Sequence, residues 1–397
     1  MNKEIDHLLN KNTADVIVKK DLQALLESGE KLKVYLGVDP SGPVIHLGHA
    51  VALRKLKEFQ DLGHKVILLI GDFTGQIGDP TGKTTARVPL TSDDIKKNAE
   101  TYKEQASKIL DFDGENPARI AFNSKWLATL SFEDLIKLAA HFTVQQMSER
   151  DMFQDRLKEG NPIGLHEFFY PLMQGYDSVA LEADVEIGGT DQTFNMLCGR
   201  TLRKQIEGKD KHVVTVPLLL GTDGRKMSKS FHNDIGISEP ASQQYGKLMS
   251  MQDDLILDYY TLCTDSSKKE LEAIKERLES GENPRDIKAK LAKEVVTMYH
   301  SGDEAENAAK EFDRIFKDKK RPTDIPEKSI TEKSMTALNL ASVLEPQKSR
   351  GELKRLFKEG AIKLDNKKIL DANTEIPIVN GLIVQIGKRT FYKIKTA

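Results

Sequence analysis

The feature of this sequence that most constrains its fold is a pair of short apolar runs separated by an amphipathic segment near the N-terminus. Residues 32–38 (LKVYLGV) are typical of a strand, and residues 50–62 place apolar side chains at near-helical spacing before Gly63. Residues 66–70 (VILLI) are apolar throughout, as in a strand that is buried on both faces. This order predicts a right-handed βαβ unit and therefore an α/β fold with a Rossmann-type parallel sheet.

The remaining pattern predicts further elements and a division into domains. Residues 92–110 and 131–141 are predicted to be helices, residues 213–220 a late strand, and residues 240–317 helical throughout. From these elements we predict an α/β domain with a helical insertion (1–230), an α-helical domain (231–317), a charged, proline-containing linker (318–334) and a small α+β domain (335–397).

The near-neutral total charge conceals an uneven distribution. The chain has 59 Lys and Arg residues and 61 Asp and Glu residues. Residues 335–397 have 12 basic and 6 acidic residues, whereas the preceding 334 residues have 47 and 55. A basic C-terminal domain on an acidic body predicts that this end of the chain binds a polyanion.

The two cysteines, Cys198 and Cys263, are too few and too far apart for a disulfide framework or a cysteine-based zinc site. Residues 1–12 carry charged side chains and lack the apolar core of a secretory signal. No apolar run approaches the ~20 residues that a membrane helix needs. We therefore expect a cytoplasmic protein without membrane segments or protein-bound zinc.

The motif His46-Leu47-Gly48-His49 lies between the first strand and its helix, at the edge of the sheet where doubly wound folds bind ligands. A helix N-terminus attracts phosphate, and Gly48 lets a nucleotide approach the backbone. The two imidazoles can donate hydrogen bonds to a phosphate. The alternatives are a chance pairing or a zinc pair, and zinc is disfavoured because no third Cys or His ligand lies nearby in the sequence.

Two further segments carry cations. Residues 78–84 (GDPTGKT) are not a P-loop, because that motif needs glycine in place of Ile77. They are predicted to be either an ordinary Asp-Pro turn or a phosphate-facing loop with the cations Lys83 and Arg87. Residues 226–230 (KMSKS) follow the late strand without apolar periodicity. Such a loop can close over a polyphosphate and neutralise the charge on a leaving group. Without a second motif, a charge cluster of this kind is usually solvated surface.

HLGH and KMSKS together resemble the signature of class I aminoacyl-tRNA synthetases. These enzymes join an amino acid to ATP as an adenylate on a Rossmann fold and then transfer it to tRNA. Three further segments, YLGVDPS (35–41), FFYPLMQGYD (168–177) and GGTDQ (188–192), are similar to those of bacterial tyrosyl-tRNA synthetases of the KMSKS subgroup. The C-terminal domain is similar to the S4-type RNA-binding domain of that family, and the resemblance also implies a homodimer.

The resemblance implies which residues bind tyrosine. Tyr35 and Asp177 would bond its phenolic hydroxyl, and its ammonium group would meet Asp79, Tyr170 and Gln174. Phenylalanine would leave the hydroxyl partners unpaired, at ~1–3 kcal/mol for each neutral group. Without the resemblance, the alternative for Tyr35 is a strand residue that packs in the core.

Three nearby residues are not assigned to the site. Glu186 stands where many relatives have Gln. Trp126, the only tryptophan, and Cys198 are interpreted as core residues.

ATP, with Mg²⁺ arriving on it, is the second substrate that the resemblance implies. The residues implied to contact ATP are Gly37, Asp39, Ser41, His46, Gly48, His49, Gly189, Asp191, Gln192 and Lys229. Those implied to act in catalysis, by meeting the phosphates or the departing pyrophosphate, are His46, His49, Lys83, Arg87, Lys226, Lys229 and Ser230. Catalysis then consists of positioning and charge neutralisation.

The segment 349–359 is predicted to be a basic amphipathic helix. Basic side chains recur along it at three- and four-residue spacing: Arg350, Lys354, Arg355 and Lys358. Phosphate contacts give affinity with little sequence information, so we expect these residues to bind tRNA. A solvated helix face is the alternative.

Three other functions remain open at the level of sequence. A tryptophanyl-type class I synthetase would not need both Tyr35 and Asp177. A non-catalytic RNA-binding protein that retains the fold would not need intact HLGH and KMSKS motifs. A metabolic adenylyltransferase would leave the basic C-terminal domain unexplained.

Overall fold

The computed structural model describes residues 3–79, 91–318, 325–387 and 390–396. The chain forms two compact units, residues 1–309 and residues 310–397. Two cations implied in catalysis, Lys83 and Arg87, lie outside the described residues, as does the side chain of Ser230.

A six-stranded sheet forms the centre of the first unit. Its strands are β1 (Asp15–Ile17), β2 (Lys33–Val38), β3 (Lys65–Ile70), β4 (Arg119–Phe122), β5 (Val185–Gly189) and β6 (His212–Val216). They lie in the order β1-β6-β5-β2-β3-β4, with β1 antiparallel and the others parallel. The predicted α/β class with a parallel sheet is therefore confirmed. The chain runs from β2 to β3 on one side and to β5 and β6 on the other, so the carboxyl ends of β2 and β5 flank the switch point where such sheets bind ligands.

Helices connect and follow these strands. They are α1 (Lys3–Asn10), α2 (Lys19–Glu27), α3 (Leu47–Asp61), α4 (Thr74–Ile77), α5 (Ser92–Ala99), α6 (Tyr102–Ala106), α7 (Ser124–Leu127), α8 (Phe132–Ala139), α9 (Val144–Ser148), α10 (Asp151–Lys158), α11 (Phe169–Ala180), α12 (Thr193–Glu207), α13 (Ala241–Met249), α14 (Ile256–Cys263), α15 (Lys268–Glu279), α16 (Pro284–Tyr299) and α17 (Gly302–Phe316). Helices α7–α11 form the predicted helical insertion between β4 and β5, and α13–α17 account for the predicted helical stretch.

Two predicted elements are shorter than their sequence patterns suggest. The helix predicted over 92–110 is divided into α5 and α6, and the side chain of Gln105 in α6 bonds the loop before α3. Its Oε1 accepts from the Ile45 N–H at 2.7 Å, and its Nε2 donates to the Pro43 carbonyl at 2.7 Å. The late strand ends at Val216 rather than at Leu220, because Pro217 has no N–H to continue the ladder.

The helical region after the sheet packs on α3. Arg54 of α3 donates to the Thr264 carbonyl at 3.1 Å and forms an ion pair with Asp265 at 2.5 Å. These contacts attach α14 and the turn that follows it to the helix that begins with the HLGH motif.

The second unit is an α+β structure. Its elements are the strands β7 (Glu327–Ile330), β8 (Ser334–Thr336), β9 (Ile362–Leu364), β10 (Lys367–Lys368), β11 (Glu375–Pro377), β12 (Ile383–Ile386) and β13 (Thr390–Thr396), with the helices α18 (Ala337–Leu344) and α19 (Arg350–Lys358). The strands form a five-stranded sheet in the order β10-β9-β12-β13-β7 and a pair β11-β8. Leu340, Leu353, Phe357 and Ile394 are buried in its core.

The segment 318–334, interpreted as a linker from its charge and proline content, includes β7. This strand pairs in parallel with β13 from Glu327↔Lys393 to Ile330↔Thr396. Backbone pairing, burial of Ile330 and the Lys393–Glu327 ion pair at 2.8 Å hold a strand that has little apolar sequence signal. The boundary of the second unit therefore lies before the predicted linker and not after it.

Candidate active site

The HLGH motif forms the N-terminus of α3. His46 is the N-cap residue, and its backbone N–H donates to Nδ1 of His49 at 3.3 Å. The two imidazole rings stack with centroids 3.7 Å apart. Burial, with the charge of Lys229 as the second cause, lowers the pKa of His46 to about 4, and burial also holds the pKa of His49 well below its usual value. Both rings are therefore neutral at pH 7, and each carries one N–H.

The KMSKS segment lies against the HLGH motif. A Cβ on Gly48 would lie 3.7 Å from Sδ of the buried Met227 and 3.1 Å from the ring of His46. The chain that follows the loop pairs with the start of α3, since the Leu47 N–H donates to the Ile235 carbonyl at 2.8 Å. The structure thus brings together two motifs that are far apart in the sequence.

Lys229 places an unpaired, partly buried cation at this junction. Its Nζ finds no hydrogen-bond partner among the described residues, and neither does Nδ1 of His46. The Lys229 side chain reaches Gly42, where a Cβ would lie 2.6 Å from Nζ. Burial lowers the pKa of Lys229 to about 8. A buried donor without an acceptor is costly, and a bound phosphate would supply that acceptor.

Asn233 holds the KMSKS segment in shape. Its Oδ1 accepts from the Ser228 N–H at 2.8 Å, and its Nδ2 donates to the Lys226 carbonyl at 3.2 Å and to Asp223 at 2.7 Å. The side chain is buried. No sequence motif marked this residue.

The residues implied to meet the adenosine side of ATP follow β2 and β5. Lys226 forms an ion pair with Asp191 at 2.6 Å, in the turn directly after β5. Gly37 on β2 has open space where a Cβ would stand. Ser41 is exposed, and the carboxylate of Asp39 accepts from the Thr74 hydroxyl at 2.7 Å. Gly189 ends β5, so these residues surround the switch point of the sheet.

Tyr35 and Asp177 lie in a buried region next to it. The Tyr35 hydroxyl bonds Oγ of Ser178 at 2.8 Å. The two oxygens of Asp177 accept from the Trp126 indole N–H at 2.8 Å and from the Asn123 amide at 3.3 Å. Burial raises the pKa of both Tyr35 and Asp177 well above their usual values, so Tyr35 keeps its proton at neutral pH.

The three residues implied to hold an ammonium group have partners of their own. Tyr170 donates its hydroxyl proton to Asp39 at 2.8 Å. Gln174 donates from its amide to Glu186 at 3.1 Å. Asp79 accepts from Gln192 at 2.7 Å and is paired at 2.7 Å with Arg150.

The buried Arg150 was not predicted, and it already supplies a positive charge to Asp79.

Comparison with known proteins identifies the family. Residues 27–317 match the family model of class I tRNA synthetases for tryptophan and tyrosine (W and Y). A tyrosine–tRNA ligase of Moorella thermoacetica is 48% identical over 395 residues, which are 98% of this chain and 95% of that protein. A tyrosine–tRNA ligase 2 of Vibrio vulnificus is also 48% identical, over 98% of both chains.

This chain belongs to the bacterial tyrosine–tRNA ligases of class I. Among solved structures, a C-terminally truncated mitochondrial tyrosyl-tRNA synthetase of Aspergillus nidulans has the same fold, with a TM-score of 0.64 at 23% identity over 80% of this chain and 95% of that one.

The sequence did not predict several polar residues of this site. Ser178, Asn123 and Lys211 are buried beside the implied tyrosine site, and none lies in a recognisable motif. Trp126, interpreted as a core residue, does pack against Tyr35 and its neighbours, but its indole N–H also bonds Asp177. The only sequence signal for these residues is a polar side chain among apolar neighbours, and many positions at the protein surface have the same local pattern.

Two further observations concern metals and membranes. Within the described residues there is no group of three or more His, Cys, Asp and Glu side chains that is arranged to hold a metal ion. Among the residues that the structure describes, no helix is long and apolar enough to cross a membrane.

Proposed function

We propose that this chain activates L-tyrosine with ATP and then transfers it to the 3′-terminal adenosine of its tRNA. The observation that carries the proposal is the junction of the two motifs, where Nζ of Lys229 and Nδ1 of His46 are buried without partners. Both nitrogens can donate hydrogen bonds to a triphosphate. A buried phenol and a buried carboxylate, Tyr35 of β2 and Asp177 of α11, lie in the same unit.

In the first step the tyrosine carboxylate attacks the α-phosphorus of ATP. A carboxylate oxygen–phosphorus bond forms, the bond from the α-phosphorus to the bridging oxygen breaks, and pyrophosphate leaves with that electron pair. No general base is needed, because the carboxylate is already ionised. Lys226 and Lys229 neutralise the charge that develops on pyrophosphate, and His46 and His49 donate N–H bonds to the phosphates. Mg²⁺ enters as part of the ATP substrate.

The roles of Lys83, Arg87 and Ser230 in the same charge neutralisation are carried over from the family motif. Gly37, Asp39, Ser41, Gly48, Gly189, Asp191 and Gln192 are proposed to form the ATP site.

Tyrosine is proposed to bind with its hydroxyl between Tyr35 and Asp177. Tyr35 keeps its proton and can donate, whereas Asp177 accepts. The ammonium group is proposed to lie at Gln174, Tyr170 and Asp79. Because Arg150 already pairs with Asp79, the carbonyl oxygen of Gln174 is the more important acceptor in this chain.

The second unit is proposed to be an S4-like RNA-binding domain. Four basic side chains of α19 are exposed, while Leu353 and Phe357 of the same helix are buried: Arg350, Lys354, Arg355 and Lys358. The first unit would contain the catalytic domain (1–230) and most of an anticodon-side helical domain (231–317). We place the enzyme in the cytoplasm, where its tRNA substrate is found.

We also propose that the chain acts as a homodimer. Large apolar side chains are exposed on the helical insertion: Phe132 at 77%, Val144 at 75% and Leu165 at 74%. Such side chains favour a protein interface. Sedimentation should give twice the mass of one chain, and Phe132→Asp should shift it toward the monomer.

Amino-acid-dependent exchange of pyrophosphate into ATP tests the activity. Tyrosine alone among the standard amino acids should support exchange. Tyr35→Phe should lower the kcat/KM for tyrosine while leaving the KM for ATP unchanged. Exchange with tryptophan instead would favour the tryptophanyl-type alternative. Absence of exchange with every amino acid would favour a non-catalytic RNA-binding protein.

A further inference from the structure

A buried ion pair lies directly behind the proposed tyrosine site. Nζ of Lys211 contacts Oε2 of Glu186, and the two side chains are 0% and 1% exposed. Glu186 is on β5 and stands beside Tyr35 of β2 in the parallel register. Lys211 comes directly before β6.

The ammonium group of Lys211 is fully satisfied. Besides Glu186, it donates to Oγ of Ser178 at 2.9 Å and to the Met196 carbonyl at 3.0 Å. Burial lowers the pKa of Lys211, and the charge of Glu186 is the first cause that opposes this shift. The carboxylate of Glu186 therefore favours the charged form of Lys211.

The neighbouring helix leaves room for this group. A Cβ on Gly199 of α12 would lie 2.5 Å from Nζ of Lys211 and 2.5 Å from Oγ of Ser178. Glycine weakens a helix interior, so its place here is explained by the space that the ion pair occupies. Stability alone does not explain the pair, because apolar residues of similar volume often stabilise a folded protein as well as a buried ion pair does.

The carboxylate of Glu186 connects both ends of the proposed tyrosine site. Its Oε1 accepts from the Gln174 amide at 3.1 Å. Its Oε2 meets Lys211 and lies 3.4 Å from Oγ of Ser178, which in turn bonds the Tyr35 hydroxyl at 2.8 Å. One side is proposed to hold the ammonium group and the other the phenol.

The chemistry of a carboxylate fixes the orientation of Gln174. An ionised carboxylate only accepts hydrogen bonds, so the NH₂ group of Gln174 must face Glu186. Its carbonyl oxygen then faces the opposite way and can accept from an ammonium group. A neutral amide at position 186 would both donate and accept, and Gln174 could then turn over.

We propose that the Glu186–Lys211 pair positions tyrosine, by holding the amide of Gln174 with its oxygen toward the substrate ammonium group and, through Ser178, by holding the hydroxyl of Tyr35. This inference rests on the proposed tyrosine site. Glu186, Lys211 and Ser178 are positioning residues, since they act through Gln174 and Tyr35.

Three ligands distinguish the two parts of this proposal, which we call the ammonium arm (Gln174) and the hydroxyl arm (Ser178 and Tyr35). L-Tyrosine has both the ammonium group and the hydroxyl, L-phenylalanine has only the ammonium group, and 3-(4-hydroxyphenyl)propionate has only the hydroxyl. The KM for tyrosine and the inhibition constants of the other two against tyrosine-dependent exchange are measured for the full-length chain. Wild-type exchange with tyrosine is measured first, and its absence would count against the proposed function rather than against the ion pair.

Glu186→Gln tests the ammonium arm. The KM for tyrosine and the inhibition constant of phenylalanine should rise roughly tenfold, whereas that of the propionate should stay within about twofold, because only ligands with an ammonium group use the oxygen of Gln174. Equal weakening of all three ligands would indicate a purely structural role and overturn the proposal. So would the absence of any change.

Ser178→Ala is the matched control for the hydroxyl arm. Tyrosine and the propionate should weaken, and phenylalanine should not. If thermal unfolding shows that Glu186→Gln does not fold, the double variant Glu186→Gln/Lys211→Met, which removes both charges, replaces it. Because Lys211 also bonds Ser178, both phenylalanine and the propionate should then weaken, and tyrosine, which uses both arms, should weaken most. Equal binding of all three ligands by the double variant and the wild type would contradict the proposal.

Discussion

At the scale of single residues, the site depends on groups whose charge is set by burial. His46, His49 and Lys229 are all held away from water at the N-terminus of α3, and the pKa of each is lowered. Neutral imidazoles avoid the cost of burying charge before ATP arrives. Lys229 differs, because its proposed role at the triphosphate requires a positive charge, and its pKa of about 8 lies close to working pH.

This pKa predicts a pH dependence. Below pH 8 most of Lys229 carries its proton, and above pH 8 the charge is lost. The kcat/KM for ATP in the exchange reaction should therefore fall by roughly tenfold for each pH unit well above 8. The Lys229→Arg variant stays charged over this range, so its kcat/KM for ATP should be lower than that of the wild type but should not change with pH. An unchanged fall in that variant would assign the titration to another group.

At the scale of elements, the KMSKS segment owes its shape to one buried side chain. Asn233 bonds the backbone at Ser228 and at Lys226, and it also bonds Asp223. Asn233→Ala should remove these bonds and let the segment depart from the HLGH motif. We expect kcat for exchange to fall about tenfold or more, with the KM for tyrosine nearly unchanged, since a lost bond of ~1–3 kcal/mol acts on the loop and not on the pocket.

Limited proteolysis provides the second measurement for this prediction. Cleavage within residues 222–233 should be faster in Asn233→Ala than in the wild type, and ATP should slow it in both. Asn233→Asp is the control, because a carboxylate can still accept from the Ser228 N–H but cannot donate. A change in the KM for tyrosine as large as the change in kcat would argue against an effect confined to the loop.

The same scale shows what a sequence can predict. The β2-α3-β3 unit was predictable because continuous apolar strands and a periodic helix are local signals. Strand β7 was not, because its pairing with β13 joins backbone groups some 66 residues apart and needs little apolar sequence. Likewise Gln105 of α6 bonds a loop about 60 positions away in the sequence, which no local pattern encodes.

For the candidate site, motifs predicted the residues that are proposed to face the substrates, and they did not predict the buried polar residues behind them. Ser178 bonds Lys211 and Tyr35, which are 33 and 143 positions away in the sequence. Their polarity is satisfied by the fold, and nothing in the neighbouring sequence distinguishes them from surface residues.

At the scale of the whole molecule, the two compact units suggest a separation of chemistry from RNA capture. Strand β7 belongs to the second unit, so a truncation must end before it rather than at residue 334. The chain 1–318 should retain tyrosine-dependent exchange within about twofold, because the buried contacts of the site lie in the first unit, and charging of tRNA should fall. Equal loss of both activities, with a loss of thermal stability, would show that the second unit is needed for folding.

The basic face of α19 offers a sharper version of this test in the intact chain. Arg350, Lys354, Arg355 and Lys358 are replaced together by Gln, which keeps the helix and the buried Leu353 and Phe357. If all four contact phosphates, the slope of log K for tRNA against log salt should become smaller by roughly 3, since each contact contributes ~0.7–0.9. Replacing the exposed Lys19, Lys20, Lys31 and Lys65 of the first unit, which lie outside the proposed anticodon-side domain, is the control of equal charge. An equal change of slope in both variants would mean that tRNA responds to net charge and not to this helix.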